Sequence, residues 1–395
     1  MNQIKDNFPI FKNHKDLVFL DNAATTQKPS ILLESLSEYY YNYNSNVGRG
    51  IYKLAELSEN SYQNSKDKIK NFFNASNYEL IVTSGSTESL NLAAHISTSF
   101  SKKKYIVIPF FEHHANILIW QSLAKKLNLE IFWITDLDQF NNPNEYIREI
   151  KNEIAIIALT HVSNVTGEII PIQPWINIAK EIDAISVIDG SQSVTSLLIN
   201  LNEIQCDFFA FSAHKLYGPM GLGFLFMNPK FLSSDPIKLG GGIIEDVTLE
   251  YHELTQGINR FEAGTPNVAN TYAFSKVLDW LKENQWELLL KKSKTITNIL
   301  YEGLEKINIT PISLSKNFSK THICSFNIPN IHPHDVGTFL SNKNIAVRVG
   351  KHCAYPLHQQ LNLNSSVRAS VGIYNNEQDI EYLLNTIKDV QNYFK

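Results

Sequence analysis

Between residues 80 and 227 the chain alternates short apolar runs with amphipathic stretches. The runs fall at 80–83, 105–109, 130–134, 154–159, 185–189, 208–211 and 223–227. Runs that are apolar throughout predict strands covered on both faces, and their alternation with helices predicts a mostly parallel sheet. The expected fold class is α/β. Beyond Asn267 the rhythm changes. Helices are predicted over 269–284 and 286–306 and strands over 322–328 and 345–348. A last helix begins near Glu377, with Ile380, Leu383, Leu384, Ile387, Val390 and Phe394 at three- and four-residue spacing. These patterns predict a large unit over residues 21–268 and a smaller α+β unit made of residues 1–20 and 269–395.

Composition narrows the functions available. The 395 residues are 43% apolar and 19% charged, and 35 basic against 39 acidic side chains give a net charge of −4. Such a surface has no field for nucleic acid or anionic lipid, so a small molecule or another protein is the expected partner. No apolar run approaches the ~20 residues needed to span a bilayer. The N-terminus lacks the order of a secretory signal. Cys206, Cys324 and Cys353 have no CxxC spacing, which predicts neither disulfides nor a thiolate metal cage and makes a reducing cytoplasm the expected location. The histidine pairs 113/114 and 332/334 have no ligand spacing, so no metal is expected.

In open α/β sheets ligands sit beyond the carboxyl ends of strands, and polar residues collect there in this chain. After the first run comes Ser84-Gly85-Ser86-Thr87-Glu88 and a helix start. Free N–H groups and hydroxyls at such a junction suit an anion, although a simple helix cap reads the same way. Asp189 ends one run, with Gln192 beyond it, and Ser212-Ala213-His214-Lys215 follows another. Alone, Asp189 could be a cap and Lys215 a surface charge. Together with the anion site they match the needs of pyridoxal phosphate: a lysine for the Schiff base, a carboxylate to keep the pyridine nitrogen protonated, and donors for the phosphate. His113 follows the run at 105–109, where an imidazole could stack on a planar group and exchange protons. Cys353 stands beside Lys351 and His352, neighbours that favour a thiolate, whereas Cys206 and Cys324 lie in apolar runs and read as core. Arg348 and Arg368 flank Cys353 and could each grip a carboxylate through a bidentate fork.

In chain order, Leu20-Asp21-Asn22-Ala23-Ala24, Gly85-Ser86-Thr87-Glu88, Glu112-His113-His114-Ala115-Asn116, His161-Val162-Ser163-Asn164, Asp189-Gly190-Ser191-Gln192, the Lys215 segment, Ala263-Gly264-Thr265-Pro266 and the Cys353 segment resemble the cysteine desulfurases. The resemblance spans nearly the whole chain and is strongest to the group II, SufS/CsdA-like branch, because the thiol segment reads Arg348-Val349-Gly350-Lys351-His352-Cys353. It implies the fold type I of pyridoxal-phosphate enzymes and a homodimer. Lys215 would hold the cofactor, His113 stack on its ring, Asp189 meet the ring nitrogen and Gln192 the phenolic oxygen. Ser86, Thr87, Ser212 and His214 would surround the phosphate, with Gly264 and Thr265 supplied by the other subunit. Asn164, Arg348 and Arg368 would bind L-cysteine, or L-selenocysteine. Cys353 would take the sulfur as a persulfide and pass it to a SufE- or SufU-like acceptor for iron–sulfur assembly. Many relatives read HRGIH where this chain has Gly48-Arg49-Gly50-Ile51-Tyr52, so two family imidazoles are missing. Because fold does not fix chemistry, selenocysteine lyase, aminotransferase and kynureninase-like reactions are the alternatives.

Overall fold

The computed structural model describes residues 4–48, 50–137 and 140–394; Arg49 and the first three residues of the expected N-terminal addition lie outside the described residues. A seven-stranded sheet lies in the order Glu79–Thr83, Gly223–Met227, Phe208–Ser212, Ile185–Asp189, Ile154–Thr160, Tyr105–Pro109 and Glu130–Ile134. Gly223–Met227 runs against both neighbours, and every other neighbouring pair is parallel. The α/β class is as expected, and every predicted strand of this sheet is present.

Side chains alternate across the sheet. Phe209, Phe211, Phe224 and Phe226 join the core on one face, while Phe208, Ala210, Leu225 and Met227 join the core on the other. Covering both faces with helices is what makes these runs apolar at every position. Each buried phenylalanine stabilises the fold by roughly 1.5–3 kcal/mol relative to exposure. Glu130–Ile134, at the edge, is only partly buried.

A second sheet sets Ser366–Ser370 between Ile323–Phe326 and Arg348–Gly350, all antiparallel. Cys324, Phe326, Val367, Ile380, Leu383 and Ile387 pack its core with the helix Glu377–Tyr393. One expectation needs correction. Residues 345–348 are not one strand: Ile345–Ala346 pairs with Val18–Phe19, whereas Arg348–Gly350 pairs with Ser366–Ser370. Two partners require the chain to break at Val347. Val268–Glu283 lies on the helices Ser30–Asn42 and Lys53–Phe72 and buries Phe274, Val277 and Leu281 in the large core. The change of core falls along Trp286–Lys306, where Trp286 and Leu289 face the large core and Leu300 and Leu304 the small one. Residues near the N-terminus divide similarly, Phe8 and Phe11 entering the large core and Val18 and Leu20 the small one. No helix among the described residues is long and apolar enough to cross a membrane.

Candidate active site

The parallel strands end along one edge of the large sheet, where Gly223 pairs with both Thr83 and Ser212. Beyond that edge lies a cleft of about 490 Å³ whose walls include Ser86, Thr87, His113, Asn164, Gln192, Ser212, His214, Lys215, Arg348, Cys353 and Arg368. Topology thus gathers residues spread over most of the chain into one place. Asp189 lies at the end of Ile185–Asp189, buried, within electrostatic reach of Lys215 and His113. Gly264 and Thr265 are not brought to this cleft; they line another of about 450 Å³ beside Gly48, Glu59 and Tyr62.

One end of the cleft suits an anion. Ser86 opens the helix Ser86–Phe100, its N–H donates to Ser212 Oγ at 2.7 Å, and Ser212 Oγ donates to Ser86 Oγ at 3.0 Å. The hydroxyls and the positive end of the helix dipole converge there. Gly223 permits this close approach, since a Cβ at that position would stand 2.3 Å from Gly85 Cα.

Lys215 follows Phe208–Ser212 in a short turn. Burial lowers the pKa of its amine below the ordinary lysine value, Arg368 adding to the effect while Asp189 and Cys353 oppose it. A less basic amine is a better nucleophile and proton acceptor near neutral pH. The carbonyl of His214, one residue earlier, accepts from Thr25 Oγ1 at 3.2 Å, Thr26 Oγ1 at 3.1 Å and Lys28 Nζ at 2.8 Å. His113 Nδ1 accepts from the Ala115 N–H at 3.1 Å, so its proton resides on Nε2. Burial, reinforced by Lys215, pulls the His113 pKa down to about 4, and the ring is neutral at physiological pH. Its chain neighbour Glu112 is wholly buried and accepts from Asn116 Nδ2 at 2.8 Å; desolvation pushes its pKa well up, toward the protonated form.

The opposite wall is a turn. His352 and Cys353 both have left-handed backbone, with φ of +48° and +55°, a conformation costing non-glycine residues roughly 1–2 kcal/mol each. Hydrogen bonds hold it: Asn164 Nδ2 donates to His352 O at 2.7 Å, and the His114 N–H to Cys353 O at 2.8 Å. Behind the turn, Ser366 Oγ lies 3.0 Å from Nε2 of both His352 and His358. Cys353 is exposed, whereas Cys206 and Cys324 are buried, as expected of core residues. Burial pushes the Cys324 thiol up to about 12 and the Cys206 thiol higher still. Cys353 instead lies within electrostatic reach of Lys215, Arg348 and Arg368. Arg348 donates from Nε and Nη2 to Asp21, and Arg368 donates from Nη1 to Asn164 O at 2.7 Å. Burial draws the Arg368 pKa down to about 10, which leaves it a cation.

The aminotransferase class-V family profile matches residues 18–383. This chain belongs to that family. A probable cysteine desulfurase of Staphylococcus aureus is 35% identical across the full chain and 97% of the relative, and one from Pyrococcus abyssi is 35% identical across 95% of the chain and 94% of the relative. Among solved structures, a cysteine desulfurase from Thermococcus onnurineus superposes with a TM-score of 0.92 at 32% identity over 98% of this chain and 97% of that one. The Escherichia coli cysteine desulfurase CsdA gives 0.89 at 26% identity over 99% and 98%. The class-V aminotransferases use pyridoxal phosphate, and the residues present here fit it. The cleft offers hydroxyls and a helix start for an anionic end and a lowered-pKa lysine, with the buried Asp189 carboxylate at a strand end within electrostatic reach of that lysine. Gln192 Oε1 and His214 Nδ1 line this cleft as buried polar atoms with no partner.

No role for Asp21, Lys28 or Glu112 was evident from the sequence. Asp21 was findable, because it follows a short apolar run as Asp189 does. Lys28 carried no signal, since a lysine after glutamine reads as solvated until the fold brings its amine to the His214 carbonyl.

Proposed function

We propose that this protein is a cysteine desulfurase that converts L-cysteine to L-alanine and holds the released sulfur as a persulfide on Cys353 for iron–sulfur cluster assembly. The observation that carries this reading is that Lys215 and Cys353, far apart in sequence, line one cleft. Bound pyridoxal phosphate would supply the electron sink that makes the substrate's α-proton removable. Lys215 would hold the cofactor and move that proton; Asp189, Gln192, Ser86, Thr87, Ser212 and His214 would fix its ring and phosphate. Neutral His113 would lie against the ring with its Nε2 proton available. Arg348, Arg368 and Asn164 would orient the amino acid. The Cys353 thiolate attacks the substrate sulfur, a sulfur–sulfur bond forms, and the carbon–sulfur bond breaks with its pair on carbon. Protonation of that carbon, and return of the removed proton to the α-carbon, leaves alanine.

A homodimer would explain why Gly264 and Thr265 stand in a separate cleft: they would complete the partner's site. Ile51 and Tyr52, which follow the Gly48 segment of that cleft, are exposed apolar residues of the kind a second copy would cover. Exposure of Cys353 suits delivery to a SufE- or SufU-like acceptor. A cytoplasmic location suits a free thiol used as a nucleophile. We further propose that the unit around the small sheet carries the thiol to the large cofactor-binding unit.

The test is to load the purified protein with pyridoxal phosphate and incubate it with L-cysteine and a thiol reductant. Equal amounts of alanine and sulfide are expected. Turnover of L-cysteine unchanged in Cys353→Ser would refute the persulfide step and favour another class-V reaction.

A further inference from the structure

The arginines assigned above to the substrate carboxylate already hold one. Arg348 donates from Nε to both oxygens of Asp21 at 3.1 Å and from Nη2 to Oδ2 at 2.7 Å, and Arg368 Nη2 lies 3.5 Å from Oδ1. Two guanidinium groups against one carboxylate leave a surplus positive charge. Arg368 Nη1 is committed to Asn164 O, and its Nε is a buried N–H with no acceptor. Such a donor is unfavourable until an acceptor reaches it. The cluster therefore lacks one anionic partner.

The three residues differ in freedom. Arg368 is 3% exposed on the central strand of the small sheet, while the Arg348 side chain is 49% exposed on an edge strand. Asp21 is pinned through its backbone: it bridges Ser370, whose N–H donates to Leu20 O at 2.7 Å and whose hydroxyl accepts from the Ala23 N–H at 2.8 Å. Of the three, Arg348 alone can turn without disturbing a strand or a core.

We propose that Asp21 is an internal competitor for the substrate carboxylate, holding Arg348 while the site is free and surrendering it when a ligand carboxylate enters. The proposal rests on reading Arg348 and Arg368 as the carboxylate site. The exchange conserves the fork on Arg348, and the gain comes from the acceptor delivered to Arg368 Nε. A ligand without a carboxylate has nothing to exchange, so Asp21 is a positioning residue that restricts the site to free amino acids and sets the affinity at which they enter.

The experiment uses 3-mercaptopropionate and its amide, a pair that differs in charge and lacks the amine, titrated into the pyridoxal-phosphate-loaded protein. Asp21→Asn is expected to tighten binding of the acid three- to tenfold and to leave the amide within twofold. Weaker or unchanged binding of the acid, while Arg348→Gln and Arg368→Gln each weaken it at least tenfold, overturns the competitor role alone. If neither arginine variant alters binding of the acid, the carboxylate site itself is wrong and the proposal falls with it. A crystal structure of the unaltered protein with 3-mercaptopropionate covers the case of a variant that does not fold. Arg348 turned from Asp21 onto the ligand is expected; Arg348 still paired with Asp21 overturns the proposal.

Discussion

Lys215 follows a strand whose five residues are all buried, and the ionisable groups around it are shifted by loss of water. Exposed Cys353 stands across the same cleft on a turn with two successive left-handed residues, held by a few hydrogen bonds. The difference matches the two tasks proposed for them. An amine that must hold a cofactor and shuttle a proton benefits from a site with little water, where its basicity is lowered. A thiol that must hand sulfur to another protein has to be reachable, so its geometry is set by hydrogen bonds to its backbone rather than by burial. One wall is stabilised by a core and the other by tethers.

The sharpest way to separate the walls is to remove each reactive group. Lys215→Ala and Cys353→Ala should each lower desulfuration by roughly three orders of magnitude or more. The losses differ in kind: the lysine variant loses the visible absorbance of the bound cofactor, and the cysteine variant keeps it. Identical spectra would break the division of labour.

Acid should act next most strongly. Burial holds His322 at about 3 and His352 at about 2, so the unfolded chain, whose histidines titrate near 6.5, binds protons that the native state refuses. The stability contributed by the neutral rings is fully present above pH 6.5 and is lost as pH falls toward 3. Thermal unfolding of the cofactor-free protein between pH 7 and pH 4.5 should show a loss on the order of a few kcal/mol. A flat profile would mean that these rings are hydrated.

Smaller effects distinguish packing from tethering. Gly223→Ala forces a Cβ against the Gly85 backbone, and overpacking of roughly 1–3 kcal/mol should raise the dissociation constant of the cofactor about tenfold. Asn164→Ala releases the His352 carbonyl, a loss of roughly 1 kcal/mol that should slow persulfide formation about fivefold while the cofactor stays bound. Stopped-flow absorbance with quantified alanine separates the two.

The large wall was legible in the sequence because strands covered on both faces announce themselves as apolar runs, and polar residues at their ends have few structural reasons to be there. Asp189, Lys215 and His113 could be found that way. The small wall was less legible. Arg348 and Arg368 stood out only as cations near Cys353, and nothing marked Arg368 as part of a central strand, because Ser366–Ser370 is short, carries two serines and a charge, and is buried only by its neighbours. The broken strand at Val347 and the left-handed turn at Cys353 depend on partners hundreds of residues away, such as Val18 and Asn164. Lys28 acquires its character from burial and Glu112 chiefly from burial, which no local spacing encodes.

The central claim is that Lys215 and Cys353 act on a single substrate molecule. Its most direct test is one turnover of L-cysteine on the loaded protein, with alanine counted and the sulfur mapped by mass spectrometry of peptides. One alanine per added sulfur atom, with the added mass on the Cys353 peptide and none on Cys206 or Cys324, is the expected result. Alanine released without sulfur on Cys353, or sulfur found on another cysteine, would contradict it.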